Sequence, residues 1–410
     1  MKRVSLLVVI ALLCSSFINK AVKTYNITDY GAVGDSRTIN TKSIQSAIDA
    51  CSAKGGGTVL VPKGIFISGA IFLKKGVSLS VAKSGVLKGS INQDDYPQIQ
   101  TRWEGEERLW TSAFINAIDL EHISISGEGT IDGSGDAWTK RGRSASGQRL
   151  GRPRLICFQN CKDVSISDLT LHNQAVWCLH VLYCSKVLIK GLNISADHNI
   201  PSSDGMDIDS SDDVHITDCS IDVNDDCISI KSGKDEDGLR VNRPSTNILI
   251  DKCRFDYGHG GVAMGSETSG GINKVLVKDC VVDANNWAPI RFKTQPSRGG
   301  VVEDITYQDI TLHGTKKAFE FNMAWRMVGA AKAPSQIPPV VRNIKLINIK
   351  GDVDAVGDMH GLATSPIRGV MFKDCAITAK TGFILEHVED IDLAGLKLQV
   401  LNGESVIRKD

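Results

Sequence analysis

The chain has 410 residues, and 47 Lys and Arg balance 47 Asp and Glu, which argues against a nucleic-acid or membrane-surface protein because both need a net basic field. Hydrophobic residues at 42% and charged residues at 23% exclude a disordered chain. A low aromatic content, 6%, beside 39 glycines suits many short strands joined by tight turns.

At the start, Lys2 and Arg3 precede the apolar run Val4 to Leu13, interrupted only by Ser5. The run is too short to span a bilayer, and a cut near Ser16 satisfies the small-residue rule, so residues 1–20 are expected to be a cleaved export signal. The remaining residues, 21–410, are expected to form one secreted or periplasmic domain. Cys14 offers a lipid anchor as the lesser alternative, since Leu13 is bulky where such sites prefer a small residue. No later stretch reaches about 18 apolar residues, so no membrane insertion is expected. Thr41 to Ala53 predicts a helix, with Asn40 or Thr41 as N-cap, Ile44, Ala47 and Ile48 on one face, and Gly55-Gly56-Gly57 as its stop.

Beyond the helix an internal repeat governs the chain: apolar-x-apolar-x-x-small/apolar-x-apolar. It is clear at Val164-Ile166-Leu169-Leu171, Val187-Ile189-Leu192-Ile194, Val214-Ile216-Cys219-Ile221, Ile248-Ile250-Cys253-Phe255, Val275-Val277-Cys280-Val282 and Ile305-Tyr307-Ile310-Leu312, and recurs from Ile123, Ile344, Val370 and Ile391. Alternation within each repeat is strand periodicity, and two or three short strands cannot bury an apolar face alone. Repeats of this kind must stack, each coil covering the next. The predicted fold is therefore all-β, a right-handed parallel β-helix of about ten coils, with the helix at 41–53 covering its N-terminal end. Cys219, Cys253, Cys280 and Cys375 fall on the third apolar position and are expected to point inward as small hydrophobes. Cys157/Cys161 and Cys178/Cys184 are the better disulfide candidates.

The acidic residues cluster on adjacent coils. Pairing Met206 with Ile228 puts Asp204 level with Asp226, and strands about 4.8 Å apart then bring Asp204, Asp225 and Asp226 to one patch. Ile228, Val262 and Ile290 share one inward register, and Ile230, Met264 and Phe292 another. Between them Asp207, Ser229 and Arg291 form one outward row, and Asp209, Lys231 and Lys293 a second. Carboxylates this close raise at least one pKa, so that one group can serve as general acid while another serves as base. Glycosidic cleavage requires that pairing. An Arg-x-Lys pair supplies a guanidinium fork and an ammonium for an anionic sugar.

The ordered motifs Ser202-Ser203-Asp204, Asn224-Asp225-Asp226, Gly258-His259-Gly260 and Arg291-Phe292-Lys293, with Asp29-Tyr30-Gly31-Ala32-Val33-Gly34-Asp35 near the start, resemble those of the polygalacturonase family of glycoside hydrolases, closest to its exo-acting branch. The resemblance implies Asp225 as general acid, Asp204 and Asp226 as the pair that holds and activates water, and His259 as a support that keeps Asp225 protonated. It implies inversion at the anomeric carbon, no cofactor or metal, and a pectic polysaccharide or oligogalacturonide as substrate. Arg291 and Lys293 are implied as ligands of a galacturonate carboxylate, with Asp207 beside them in the outward row. Ser202-Ser203 departs from the family's Asn-Thr. Trp325 stands nearest to where the family often has a tyrosine, either to stack on a sugar or to pack against a loop. Hydrolysis within rhamnogalacturonan is the main alternative, ahead of a calcium-dependent pectate lyase and a non-catalytic polysaccharide-binding β-helix. Three stretches exceed a minimal coil, Thr101 to Trp110, Trp138 to Arg154 and Lys234 to Pro244, and are expected to wall off one end of the groove.

Overall fold

A computed structural model describes residues 23–139, 151–326 and 332–409. The expected export signal with Cys14, and most of the Trp138 to Arg154 insertion, lie outside the described residues. The chain winds into a right-handed parallel β-helix in which the strands of the coils pair in parallel with their counterparts one coil later, one antiparallel hairpin standing outside the coils. The pairing follows the repeat: Val164, Val187, Val214, Ile248, Val275, Ile305, Ile344 and Val370 are successive partners.

The bend that turns each strand into the next is written into the residue before the third apolar position. Asp168, Gly191, Asp218, Lys252, Asp279, Asp309, Asn348 and Asp374 all hold a left-handed backbone, with φ between 52° and 63°. Asp, Asn and Gly tolerate this conformation best. Much of the chain's aspartate is therefore spent on corners, and only a minority of it on chemistry.

The inward side chains merge into one continuous core, which includes Ile44, Ala47, Ile48 and Cys51 of the helix Thr41–Ala53. Asn40 precedes that helix without capping it through its side chain. Its amide instead accepts from the Val33 N–H at 2.7 Å and donates to the Thr38 carbonyl at 2.8 Å, tying down the preceding loop. Among the described residues no helix is long and apolar enough to cross a membrane.

Every cysteine of the described residues is a free, buried thiol. Cys219, Cys253 and Cys280 stack inside the core in consecutive coils, as the repeat predicts. The two expected disulfides are absent for a geometric reason. The strand Leu179–Leu182 separates Cys178 from Cys184, and six extended residues span about 20 Å, far beyond the Cα separation of about 7 Å that a bridge allows. Cys157 is itself a residue of the strand Ile156–Gln159, which carries the chain away from it toward Cys161. Cys161 lies against Cys184 of the neighbouring coil. Core packing alone then sets thermal stability, so the unfolding midpoint should be unchanged by reductant. A drop of several degrees in dithiothreitol would show that a bridge contributes.

Candidate active site

Strict register assembles the acidic patch. Met206 pairs with Ile228, Ile228 with Val262, and Val262 with Ile290. Asp204 and Asp226 therefore open adjacent strands, where the Gly205 N–H donates to the Asp226 carbonyl at 3.0 Å. One oxygen from each of Asp204, Asp225 and Asp226 lies within 4.8 Å of the others. The three line a cavity of about 400 Å³ together with His259, Arg291, Lys293, Trp177, Lys231, Glu267, Trp287, Trp325 and others.

The glycines around His259 make room for the carboxylates. A Cβ on Gly260 would stand 2.8 Å from Asp226 Oδ1, and one on Gly258 would stand 2.9 Å from the Asp225 carbonyl oxygen. His259 itself is exposed, with Nδ1 3.4 Å from Asp225 Oδ1.

The electrostatics separate the three acids. Burial, with the neighbouring charges of Asp207 and Asp225, pushes the Asp204 carboxyl well above the usual range and outweighs the pull of Lys231. Burial also acts on Asp225, but the hydrogen bond from His259 and the charge of Lys293 overcome it and hold that carboxyl below the usual range. The same hydrogen bond raises His259 above 6.5. Asp204 is thus biased toward its protonated form, while the Asp225–His259 contact favours the carboxylate and the imidazolium.

Arg291 and Lys293 are nearly buried and already engaged. Lys293 pairs with Asp226 Oδ2. Arg291 reaches Asp226 Oδ1 at 3.4 Å and binds Glu320 Oε2 through Nε at 2.6 Å. Trp325 lies over both cations, 4.7 Å from the Arg291 guanidinium and 5.5 Å from the Lys293 ammonium, and lines the cavity rather than a remote loop. A divalent cation uses clustered carboxylates in the same way, but here Lys293 and Arg291 on Asp226 and imidazolium on Asp225 occupy the places of counter-ions.

Asp207 does not reach the cavity. Its position in the outward row suggested contact with substrate, yet it is fully buried and absent from the cavity wall. It lies 3.5 Å from Lys231 Nζ, and burial drives its carboxyl well above the usual range. Register gave its angle around the rod correctly; the neighbouring coils and loops roof it over.

Several cavity residues carried no assigned role in the sequence. Lys231 Nζ lies 3.1 Å from Glu267 Oε2 and 4.7 Å above the Trp177 ring. Trp287, 45% exposed, donates through Nε1 to Glu320 Oε1 at 3.3 Å. Glu104 projects from the tip of an antiparallel hairpin, Gln98–Trp103 with Glu106–Thr111. The hairpin tip borders the cavity, and the strand behind it is held by buried contacts. Buried Arg102 donates to Asp209 Oδ1 at 2.7 Å and to Ser210 Oγ at 2.8 Å, and Asp209 faces His180, whose imidazole burial lowers to about 4. At the tip the Gly105 carbonyl accepts from the Lys234 N–H at 2.9 Å. Gly105 has φ +81°, and a Cβ there would sit 2.5 Å from Lys234 Cβ and 2.8 Å from Glu267 Cγ, so only glycine permits so close a seal.

Residues 51–393 match the model of "Glycosyl hydrolases family 28". A "Probable polygalacturonase" of Vitis vinifera is 31% identical over 374 residues, 88% of this chain and 76% of that protein. An exo-poly-alpha-D-galacturonosidase of Dickeya chrysanthemi is 29% identical over 343 residues, 72% of this chain and 56% of the other. Among solved structures, a hyperthermoactive exopolygalacturonase from Thermotoga maritima superimposes with a TM-score of 0.77 at 28% identity, covering 94% of this chain and 91% of that one.

The Asp225–His259 pair sets a pH limit. A raised histidine is charged below its folded pKa and loses its proton as pH rises through it. Activity that needs the imidazolium should therefore persist through pH 6.5 and fall above it. NMR titration of His259 should give a midpoint above 6.5 that drops in Asp225→Asn; a midpoint at or below 6.5 in the parent protein would refute the pairing.

Proposed function

This chain belongs to glycosyl hydrolases family 28 and is a glycoside hydrolase, and from that membership we propose that it cleaves α-1,4-linked galacturonate from pectic polysaccharide, acting from the non-reducing end. The observation that carries the reading is the coincidence, in one cavity bordered by the Glu104 hairpin tip, of three carboxylates with the Arg291 and Lys293 cations.

The His259 imidazolium passes its proton to Asp225 across 3.4 Å, and Asp225 delivers it to the leaving glycosidic oxygen, leaving the imidazole neutral until it is reprotonated. Asp204 and Asp226 work as an unequal pair. Protonated Asp204 donates a hydrogen bond that orients a water, while Asp226, held as an anion by Lys293 and Arg291, removes that water's proton. Water attack from the face opposite the leaving group inverts the anomeric carbon. The nearest-oxygen distance within 4.8 Å is shorter than the carboxyl-to-carboxyl separation of about 6.5–9.5 Å that inverting enzymes use, since it measures the approaching oxygens alone. The anomer of the first product, followed by NMR, decides the stereochemistry.

Substrate class follows from charge. Arg291 and Lys293 face the cavity beneath Trp325, where a neutral sugar would leave both without an added partner and a uronate carboxylate supplies one. The three insertions expected near the carboxylates bear on the mode of attack. The first is the sealing hairpin and the third forms the short helix Asp235–Val241 beside it, where the Glu107 N–H donates to Asp237 Oδ2 at 2.9 Å. A groove sealed in this way admits only a chain terminus.

Asp225→Asn should lower turnover about 10²–10⁴-fold while leaving folding and oligogalacturonide binding nearly unchanged, because an amide keeps the shape but delivers no proton. Near-normal hydrolysis by that variant would remove Asp225 from the mechanism. On polygalacturonate the parent enzyme should release monomer from the outset while viscosity falls slowly, and it should do so in EDTA without absorbance from an unsaturated product. Early mixed oligomers would identify an open, endo-acting cleft; metal dependence with an unsaturated product would identify a lyase.

A further inference from the structure

The cavity wall beside Trp177 and the Glu104 hairpin tip contains an ion pair that the proton transfers do not use. Lys231 and Glu267 are 5% and 1% exposed, lie 3.1 Å apart, and line the cavity on the side of Trp177 and the Glu104 hairpin tip. Lys231 follows Asp226 on the strand Asp226–Lys231. Glu267 comes from the loop after the strand Arg254–Met264. Its carbonyl accepts from the Ser232 N–H at 2.7 Å, and Gly105 packs on its side chain. The pair is thus fixed from both sides, with little freedom to adjust to a poor ligand.

An ammonium beside a carboxylate is complementary to a hydroxyl, which accepts from one and donates to the other. It suits a second carboxylate poorly, because Glu267 would repel it. A sugar driven against this wall presents one group that an internal residue of the chain lacks: the 4-hydroxyl, which in every other residue is consumed by the glycosidic bond. We propose that the Lys231–Glu267 pair reads the free 4-hydroxyl of the terminal, non-reducing galacturonate, making the enzyme selective for saturated chain ends over ends bearing a 4,5-unsaturated uronate, the residue that β-elimination leaves behind. The proposal rests on the exo reading above. Its physical basis is the asymmetry of buried polar recognition: a site built around a hydroxyl rejects the analogue without it, because its own charged groups are left unpaired once water is displaced.

The test compares kcat/KM on three trimers: trigalacturonate, the trimer with a 4,5-unsaturated non-reducing end, and trigalacturonate reduced with borohydride at its other end. The parent enzyme should favour the saturated over the unsaturated trimer at least about tenfold and treat the reduced trimer like the unmodified one. Glu267→Gln, nearly isosteric, should keep its unfolding midpoint and bring the saturated-to-unsaturated ratio close to one; Lys231→Met should do the same if it folds. Equal losses on both trimers in Glu267→Gln, leaving the ratio intact, would show a structural role and overturn the proposal. So would a parent enzyme indifferent to the unsaturated end, or one that rejects the reduced trimer instead. Mixed oligomers released early from polygalacturonate would overturn the exo reading itself, whereas a monomer-releasing enzyme indifferent to the 4-hydroxyl overturns only this inference.

Discussion

Parallel strands about 4.8 Å apart, held in one register over coil after coil, are the constraint on which the rest of this molecule depends. A slip of one residue anywhere between Met206 and Phe292 would turn every side chain on that strand from cavity to core. The inward stacks Met206–Ile228–Val262–Ile290 and Ile208–Ile230–Met264–Phe292 resist the slip, because each would have to exchange buried hydrocarbon for Asp, Ser, Arg or Lys. Left-handed corners at Asp218, Lys252 and Asp279 reset the phase of each coil before error accumulates. The carboxylates are close because the hydrophobic core leaves them no alternative.

Such closeness has an electrostatic cost, and the cavity distributes it unevenly. Asp226 is matched by Lys293 and Arg291, Asp225 by His259, and Glu267 by Lys231. Asp207 lies near Lys231 but shares it with Glu267, Asp204 has no direct cation partner among the described residues, and burial drives both toward the protonated form.

The repeat, the inward cysteines, and the convergence of Asp204, Asp225, Asp226, His259, Arg291 and Lys293 were legible in the sequence because each follows from period and register alone. Depth was not. Asp207 and Arg291 share an outward row, but Arg291 reaches the cavity and Asp207 is sealed beneath its neighbours. Alternation gives the direction of a side chain from the strand, not what is later laid over it. The Cys178/Cys184 pairing failed for a related reason: proximity in sequence is separation in space when an extended strand intervenes, and closeness belongs to residues one coil apart, as in Cys161 and Cys184. Glu267 and Glu104 lie in loops without periodicity, so nothing in the local pattern says that they meet across 163 positions of chain at one cavity.

The insertions are where this rod acquires direction. A bare β-helix groove is nearly the same along its length, and an anionic polymer could lie in it in many registers. The hairpin breaks that equivalence, and its anchors include a buried pair, Arg102 with Asp209, beside the surface contacts of Glu107 with Asp237 and Arg240. Removing one partner of such a pair leaves an uncompensated charge in the core, which costs about 3–5 kcal/mol. The wall therefore cannot swing away without exposing or stranding Arg102. On the exo reading proposed above, the distance from the hairpin to Asp225 sets how many sugars fit before the bond that is cut.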